Sequence, residues 1–396
     1  MKVLEFINHA SIKIEYGGLM CVTDPWYISN AFGSWFPDPS PNKDEVFDLI
    51  DTDKKMCVVV SHGHDDHIDD WFFRKHLKNK TFFCSKFQTP GLEKRLSNNI
   101  QVNTKPIGSG EVFGEFLINQ FINPDFTNYD AVITIETPDY LIIHANDNWQ
   151  KWPDSMLAEI KKVSDRYDES SVFLLIQFGI ADSFPVNYRG ITDKEALNLI
   201  DGRFEQYLKS TEDNMKSLNL NHMYYYANQS LFEYKECNID GLSMYQLAQN
   251  FLLKKSAPHV QLISGMSLHK GHKITKSPTP DVALFRYCLD AFENFINERY
   301  KMKCRPGEYI PVRFKTMQDE VADKEINYIA TPQVWNRILI GELTLEAIII
   351  GGSGVIVKPD MNMNLRDHHH FVSKTGYIAQ YMINEKGLSF YREFAH

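Results

Sequence analysis

The most constraining feature of this chain is the stretch from 57 to 70, where an apolar run leads directly into a cluster of histidines and aspartates. Residues 57–60 are typical of a short buried strand, and Ser61 ends it. Four polar residues then follow at the spacing H-x-H-x-D-H: His62, His64, Asp66 and His67. Such groups make poor core material, because each must be desolvated with no apolar gain. They are good ligands for zinc, iron or manganese, so the stretch predicts a metal site.

The segment after this loop is predicted to be helical. Asp69 and Asp70 stand where a helix N-terminus favours negative charge, and residues 71–78 follow as the helix. The alternative interpretation is a solvated polar loop that carries chance histidines. That alternative is weak, because the spacing is particular and the strand before it is uninterrupted.

The motif resembles the signature of the metallo-β-lactamase superfamily. The resemblance implies an α/β fold, an αββα sandwich with a metal centre at one edge. His62 and His64 would bind a first metal ion, and Asp66 and His67 a second. It also implies a bridging aspartate after a later strand. Asp147 matches that position, and a carboxylate there can neutralise two cations about 3.5–4 Å apart. The predicted metal ligands are His62, His64, Asp66, His67 and Asp147.

Two residues near the N-terminus, His9 and Asp24, are predicted to lie close to the metal site. Residues 3–16 and 19–24 are predicted strands of a hairpin, and Asp24 ends the second. The resemblance implies that Asp24 orients the metal loop without binding metal, since outer carboxylates fix histidine tautomers. A lone histidine on a strand is usually structural. His9, however, lies in an Asn-His-Ala sequence that resembles the branch of ascorbate-phosphate lactonases and sialic-acid hydroxylases. The predicted catalytic residues are therefore His9, Asp66 and Asp147.

Three polar residues near Asp147 are assigned supporting roles. His144 lies within the predicted strand and is expected to be structural. Asn146 and Asn148 are expected to form hydrogen bonds around Asp147.

Two histidines that the superfamily usually adds are missing from their expected positions. The third motif offers Asn123 and Asp125 instead, and the last motif offers Ala227 and Asn228. A decayed site, a single metal ion or a different subfamily would each explain these departures. Other histidines occur later in the chain, and a solvated turn is the simpler explanation of each: His269, His272 and His368 to His370.

Several short motifs favour a different subfamily. They cover residues 24–36, 146–147, 177–185, 224–228, 340–346 and 357–360. Together they resemble CMP-N-acetylneuraminate hydroxylase and its bacterial amine-oxidising relatives over most of the chain. The animal hydroxylase carries a Rieske iron–sulfur domain, but this sequence has no Cys-x-His…Cys-x-x-His pattern. The resemblance therefore implies the relatives without a Rieske domain, which are di-iron oxygenases that act on amino groups.

The expected function is that of a non-haem di-iron monooxygenase. It would use two metal ions, expected to be iron with zinc or manganese as alternatives, together with O2, a small polar substrate and an external electron donor. The substrate would be amino-acid-like or an amino sugar. The alternative is a metallohydrolase, in which a metal-activated water attacks a phosphodiester, lactone or ester. A third interpretation is a binding protein with a degenerate site. Ligand type alone does not distinguish these functions.

Composition limits the partners that we expect. The net charge of −9 provides no basic surface for nucleic acid. No apolar run approaches 18 residues and the N-terminus is not typical of a leader, so no membrane partner is expected. The six cysteines are scattered without a C-x-x-C pattern, which favours buried free thiols in the cytoplasm.

Helical periodicity is concentrated in the second half of the chain. The predicted helices cover residues 153–167, 192–218, 243–255 and 281–302. The predicted organisation is a metal-binding domain over residues 1–264 and a mostly helical C-terminal extension over 265–396. Since no flexible linker separates them, the extension is expected to pack on the domain as one body.

Overall fold

The fold is taken from a computed structural model that describes most of residues 2–357. The residues outside this description are 1, 28, 30, 33–34, 38–40, 42–45, 47–48, 50–51, 124–129, 181–183, 186–191, 229, 233–241, 243, 256–259, 264, 277–281, 303, 305–308, 317–318, 321–324, 331–333, 336–337, 339–347, 349–353 and 358–396. Asp125, the motifs at 340–346 and 358–360, and His368 to His370 therefore lie outside the described residues. The chain divides into two compact units, Met1–Thr279 and Pro280–His396.

The first unit contains two large sheets and one small pair of strands. The strands are β1 (Lys2–Asn8), β2 (Ser11–Tyr16), β3 (Leu19–Thr23), β4 (Trp35–Pro37), β5 (Lys55–Val60), β6 (Thr81–Ser85), β7 (Asn103–Ile107), β8 (Glu111–Phe113), β9 (Phe116–Ile122), β10 (Ala131–Glu136), β11 (Leu141–His144), β12 (Val172–Gln177), β13 (Met223–Tyr226), β14 (Ser230–Phe232), β15 (Val260–Gln261), β16 (Met266–His269) and β17 (Lys273–Lys276). The first sheet has the order β17-β16-β1-β2-β3-β5-β6-β7, and the second β15-β13-β12-β11-β10-β9-β8. Strands β4 and β14 form the pair.

Five α-helices accompany these sheets in the described part of the first unit. They are α1 (Asp70–Phe72, continued as a π-helical turn over Phe73–Leu77), α2 (Gly91–Lys94, continued likewise over Arg95–Ile100), α3 (Asp154–Ser164), α4 (Asp193–Ser217) and α5 (Met244–Lys255). Thr192 begins α4 with a capping box, in which its hydroxyl accepts from the Glu195 backbone N–H and Glu195 accepts from the Thr192 backbone N–H. Among the helices of the described part, none combines the length and the apolar character needed to cross a bilayer.

The hairpin predicted at the N-terminus forms, with one difference. Gly17 and Gly18 turn the chain between β2 and β3 with φ of 56° and 77°, a conformation that glycine adopts without strain. The single strand predicted over residues 3–16 is split at His9 and Ala10, which form a second tight turn. His9 has a φ of 48° there. The alternation of apolar and polar residues did not predict this turn, because neither His9 nor Ala10 is a typical turn residue.

The two sheets pack face to face. Side chains from β1, β2, β5 and β6 contact those of β9 to β13 in one buried core. Successive residues of β10 face opposite sides: Ile133 and Ile135 lie in this core, whereas Val132 packs with the helices α3, α4 and α5. On the outer face of the first sheet, α2 lies on β6 and β7, and Phe73 packs on Phe82 of β6. The αββα sandwich predicted from the sequence is confirmed.

Parallel pairing brings several strand ends together. Strands β3, β5 and β6 run parallel in the first sheet, as do β11, β12 and β13 in the second. The carboxyl ends of parallel neighbours lie at one edge of their sheet, and loops at such an edge are the usual place for a ligand. The loops that follow β3, β5 and β11 carry Asp24, the H-x-H-x-D-H motif and Asp147.

The second unit is built differently from the prediction. Its described elements are α6 (Val282–Lys301) and a three-stranded sheet of β18 (Val312–Lys315), β19 (Ile326–Ala330) and β20 (Gly354–Val357). A sheet therefore accompanies the predicted helix. The boundary predicted at 264/265 precedes the hairpin of β16 and β17, which belongs to the first unit because β16 pairs with β1.

The core between the sheets provides a test of this architecture. Replacing Ile135, which is fully buried there, by alanine should lower the free energy of unfolding of the first unit by about 2–5 kcal/mol, because apolar contact is lost and a cavity remains. Denaturant titration followed by tryptophan fluorescence would measure the change. Val112 of β8 is 66% exposed, and Val112→Ala should change stability by less than about 0.5 kcal/mol. Equal effects of the two substitutions would contradict the packing described here.

Candidate metal centre

The first group of candidate ligands combines the start of the metal loop with the loop after β11. His62 Nε2 and His64 Nδ1 lie 2.8 Å apart. Asp147 faces both with its Oδ2, at 3.6 Å from His62 Nε2 and 4.0 Å from His64 Nδ1. His62 is fully buried, whereas the His64 side chain is 54% exposed. The structure thus brings together the three residues predicted to surround the first ion.

The second group lies on the other side of Asp147. Its Oδ1 is 3.4 Å from His67 Nε2, and Asp66 Oδ1 lies 4.0 Å from the same nitrogen. His9 also reaches this group, since its Nε2 is 3.2 Å from Asp66 Oδ2. One ligand atom from each of His9, Asp66 and His67 falls within 4.8 Å of the others, and all three side chains are buried.

The chemistry of these groups fits bound metal. Within the described part of the chain, several buried atoms form no hydrogen bond: Asp66 Oδ1, Asp147 Oδ1, His67 Nε2 and both ring nitrogens of His9. Buried polar atoms are normally satisfied, so such a cluster needs a ligand to explain it. Ligand atoms about 2.0–2.2 Å from a shared tetrahedral ion lie roughly 3.3–3.6 Å apart. The separations of Asp147 from His62 and His67 match this spacing.

Asp24 organises the centre from outside. It is completely buried, and its Oδ1 accepts a hydrogen bond of 2.7 Å from the Ser61 backbone N–H. Its Oδ2 accepts from the Ser61 hydroxyl at 2.7 Å and faces His67 Nδ1 at 3.1 Å. A carboxylate beside Nδ1 favours a proton on that nitrogen, which leaves Nε2 of His67 free to bind metal.

Ser61 extends this control to His62. Because its hydroxyl donates to Asp24, the Ser61 oxygen can accept from His62 Nδ1, which lies 3.0 Å away. The Nε2 atom of His62 then faces Asp147 without a proton. The role inferred for Asp24 from the resemblance agrees with these contacts, and Ser61 is a supporting residue that the sequence marked only as the end of a strand.

His144 and Tyr226 complete the network. His144 Nε2 donates to Asp24 Oδ2 at 2.8 Å, and its Nδ1 accepts from the Tyr226 hydroxyl at 2.6 Å. The same hydroxyl accepts a hydrogen bond from the Asn146 backbone N–H at 2.9 Å. His144, expected to be merely structural, therefore links Asp24 to the loop of Asp147. Sequence reasoning missed Tyr226 because a tyrosine in a buried strand usually indicates core packing.

Asn146 holds the candidate bridging residue in place. Its Oδ1 accepts from the Asp147 backbone N–H at 2.6 Å, and its Nδ2 donates to the Ala131 carbonyl at 2.7 Å. Asn146 has a φ of 38°, which asparagine tolerates better than most residues. The hydrogen bonding expected of Asn146 around Asp147 is therefore present. For Asn148, the side-chain nitrogen forms no hydrogen bond in the described part.

The surroundings shift the pKa values of the two buried histidines, His62 and His67, in opposite directions. Burial lowers the pKa of His62 well below its usual value, and the neighbouring His67 and His64 lower it further. Burial also disfavours a charge on His67, but the carboxylates of Asp147, Asp66 and Asp24 outweigh it and raise the pKa of His67 well above its usual value. Without metal, a proton on His67 would thus offset the negative charge. A bound cation can take over that role.

Two polar residues lie near the position where the resemblance predicted the third-motif histidine. Asn123 is buried at the end of β9. Asp130, just before β10, reaches to within 3.6 Å of His62 Nδ1, but on the side away from His64 and Asp147. Burial and the charge of Asp147 raise the pKa of Asp130 well above its usual value. Nothing in its sequence context marked Asp130 as part of the centre.

The histidines on the hairpin of β16 and β17 have other contacts. His269 Nε2 lies 2.8 Å from the Thr275 hydroxyl. His272 forms a hydrogen bond with the Tyr224 hydroxyl at 2.9 Å and stacks on His222 with ring centroids 4.1 Å apart. These contacts agree with a structural role for both residues.

An aromatic side chain stands beside the exposed ligand. Phe32 is 47% exposed, and its ring centroid lies 6.0 Å from that of His64 and 4.9 Å from that of the buried Trp35. His64 and Phe32 therefore mark the solvent side of the centre.

Comparison with curated sequences gave two short matches, whereas no protein-family profile matches the chain. One is 32% identical over 93 residues, 23% of this chain, to a Mycolicibacterium smegmatis protein described provisionally as a Rieske 2Fe-2S iron–sulfur protein. The other is 34% identical over 67 residues, 17% of this chain, to cytidine monophosphate-N-acetylneuraminic acid hydroxylase of Asterias rubens. The matches span 17% and 10% of those relatives' own lengths.

Comparison with solved structures gave broader but more distant similarity. A possible metal-dependent hydrolase from Veillonella parvula is 13% identical, with 70% of this chain and 100% of that chain covered and a TM-score of 0.41. CmlA, a di-iron β-hydroxylase from Streptomyces venezuelae, is 14% identical, with coverage of 70% and 54% and a TM-score of 0.43. YhfI from Bacillus subtilis is 13% identical, with coverage of 67% and 91% and a TM-score of 0.34. YhfI is described as a metallo-β-lactamase-fold protein.

The role of Asp24 can be tested through metal affinity. Asp24→Asn removes the charge that orients His67 and Ser61, and should weaken metal binding by about 10–100-fold, as expected for a residue that acts through ligands. Chelator competition with zinc would measure the affinity. His64→Ala, which removes a predicted ligand, should lose more metal than Asp24→Asn.

Asp65 offers a matched control for this test. It lies in the same loop, but its side chain is 44% exposed and pairs with Arg95 at 3.0 Å. Asp65→Asn should leave metal affinity unchanged. A loss in Asp65→Asn equal to that in Asp24→Asn would show that only the overall charge of the loop matters.

The bridging position of Asp147 predicts a change in stoichiometry. Asp147→Asn removes the negative charge shared by both groups, so the metal content should fall from about two ions to one or none. Elemental analysis of protein after equilibration with metal and desalting would measure it. Asp139 is an exposed aspartate in the turn before β11, and Asp139→Asn should keep two ions. Two ions in Asp147→Asn would place Asp147 outside the coordination sphere.

Proposed function

We propose that this protein is an O2-dependent oxygenase with two metal ions, expected to be iron, that acts on a small polar amino-acid-like or amino-sugar substrate. The observation that carries the two-ion centre is the orientation of Asp147. Its Oδ2 faces His62 and His64, while its Oδ1 faces His67. A carboxylate placed in this way can bridge two cations.

The sequence matches favour oxygenase over hydrolase chemistry, and the donor set is compatible with it. The short sequence matches are to a hydroxylase and to a protein described as a Rieske iron–sulfur protein, both redox proteins by name. The superfamily histidines of the third and last motifs are replaced, so carboxylates make up a larger share of the donor set. Imidazole and carboxylate donors together suit redox-active iron as well as zinc.

The residues of the chain have separable tasks in this proposal. His62, His64 and Asp147 would hold one ion, and Asp66, His67 and Asp147 the other. A pair of iron ions would supply the electrons for the reduction of O2.

Asp24, Ser61 and His144 keep the ring nitrogens of the ligands correctly aimed through the contacts described above. Burial of this network excludes water from one side of the centre.

Substrate would approach from the side of His64, which is the exposed ligand. Phe32 stands at that side and would pack against the apolar part of a substrate. A separate donor protein or reductant is proposed to return the iron to its reduced state. Neither nucleic acid nor a membrane is part of the proposal.

Oxygen consumption tests the proposal. Protein loaded anaerobically with iron(II) and supplied with a reductant should consume O2 faster when amino acids or amino sugars are added, as an oxygen electrode would measure. Zinc-loaded protein should be inert in this assay, because zinc does not change its oxidation state. Iron-loaded Asp139→Asn serves as the control and should behave as the unmodified protein.

A hydrolase would give the opposite pattern. If zinc-loaded protein cleaves phosphodiesters, lactones or esters while the iron form shows no substrate-dependent O2 consumption, the oxygenase proposal is overturned. The same panel of substrates should be offered to both metal forms, so that the two outcomes are directly comparable.

A further inference from the structure

His9 occupies an unusual position for a histidine. It lies in the two-residue turn between β1 and β2, with a φ of 48° that favours glycine over a residue with a side chain. Its side chain is only 1% exposed, yet neither ring nitrogen forms a hydrogen bond with any residue that the structure describes. Buried polar atoms normally have a hydrogen-bond partner or a ligand. Since no described protein atom provides one, the imidazole of His9 is expected to bind a ligand.

The ring of His9 points into the second group of candidate ligands. Its Nε2 lies 3.2 Å from Asp66 Oδ2, close to the spacing of about 3.3 Å expected between ligands of one tetrahedral ion. Its ring meets that of His67 edge to face, with centroids 5.4 Å apart. The buried Trp26 packs against it at 5.2 Å and limits its movement.

The backbone of His9 lies beside the position where the superfamily places its last histidine. Ala227 follows β13 at that position, and its backbone N–H donates to the His9 carbonyl at 2.8 Å. Ala227 has no ligand atom in its side chain. The next residue, Asn228, donates from its amide to the Phe178 carbonyl and accepts from Gln261 at 3.0 Å. Neither residue therefore replaces the missing histidine.

We propose that His9 is a ligand of the second metal ion through Nε2, in the place of the histidine that is missing after β13. The second ion would then be held by His9, Asp66, His67 and Asp147. The imidazole comes from a turn of the first sheet rather than from the end of β13, but the hydrogen bond between Ala227 and His9 brings it to the same point. This inference rests on the two-ion part of the proposed function and is independent of whether the reaction uses O2.

The substitution His9→Gly separates metal binding from folding. Glycine suits the turn conformation, so the variant should fold, and the circular-dichroism spectrum of the metal-free protein should match that of the original. Titration with cobalt(II) should show one equivalent bound as before. The second equivalent should bind more than about 100-fold more weakly, beyond the range typical of residues that act through ligands.

Proton NMR of the cobalt-loaded protein identifies the ligands directly. Ring protons of coordinated histidines are shifted far outside the normal range by the paramagnetic ion. With saturating cobalt, His9→Gly should lack the shifted signals of one imidazole that the original protein shows. Added free imidazole should enter the space left by the ring and restore binding of the second equivalent.

A histidine outside the centre provides the control. His272→Ala removes an imidazole that stacks on His222, and should preserve both equivalents and all shifted signals. If His9→Gly also preserves both, His9 only packs beside Asp66 and the inference is overturned. If the original protein binds a single equivalent, the two-ion centre of the proposed function fails, and the role of His9 fails with it.

Discussion

The buried carboxylate of Asp24 is the interaction on which the rest of the centre depends. Burial alone would raise its pKa, but His67 and the hydrogen bond from His144 hold the pKa far below its usual range. A charged group without solvent is stable only when its surroundings satisfy it, and Ser61 supplies two further donors. The same contacts that stabilise this charge also orient the metal loop, so the structural requirement and the functional one coincide.

The architecture explains why these groups meet. Asp24, the metal loop and Asp147 each follow a strand that runs parallel to a neighbour, and the two sheets bring their loops to one edge of the sandwich. The turn at His9 joins two antiparallel strands of the first sheet, and Tyr226 reaches the network from the end of β13 in the second sheet. A rigid core beneath them fixes the distances, because packed sheets do not adjust freely.

The distribution of carboxylates separates this centre from a purely histidine-based one. Asp66 and Asp147 lie close to the buried ligands, and Asp130 lies on the far side of His62 with a raised pKa. Such crowding of negative charge is unfavourable unless cations offset it. The arrangement thus supports a centre that needs metal for electrostatic balance as well as for chemistry.

The sequence by itself determined the metal motif and most helices, because ligand spacing and apolar periodicity are local properties. The resemblance carried by that motif implied the sandwich and pointed to Asp24 and Asp147, which both end predicted strands. Only the tertiary structure decided how His144 and Tyr226 join the network and which ring nitrogens of His62 and His67 face Asp147. It also decided that the hairpin after residue 264 belongs to the first sheet and that His9 lies beside Ala227. These contacts join residues far apart in the chain, and no local pattern encodes the register that brings them together.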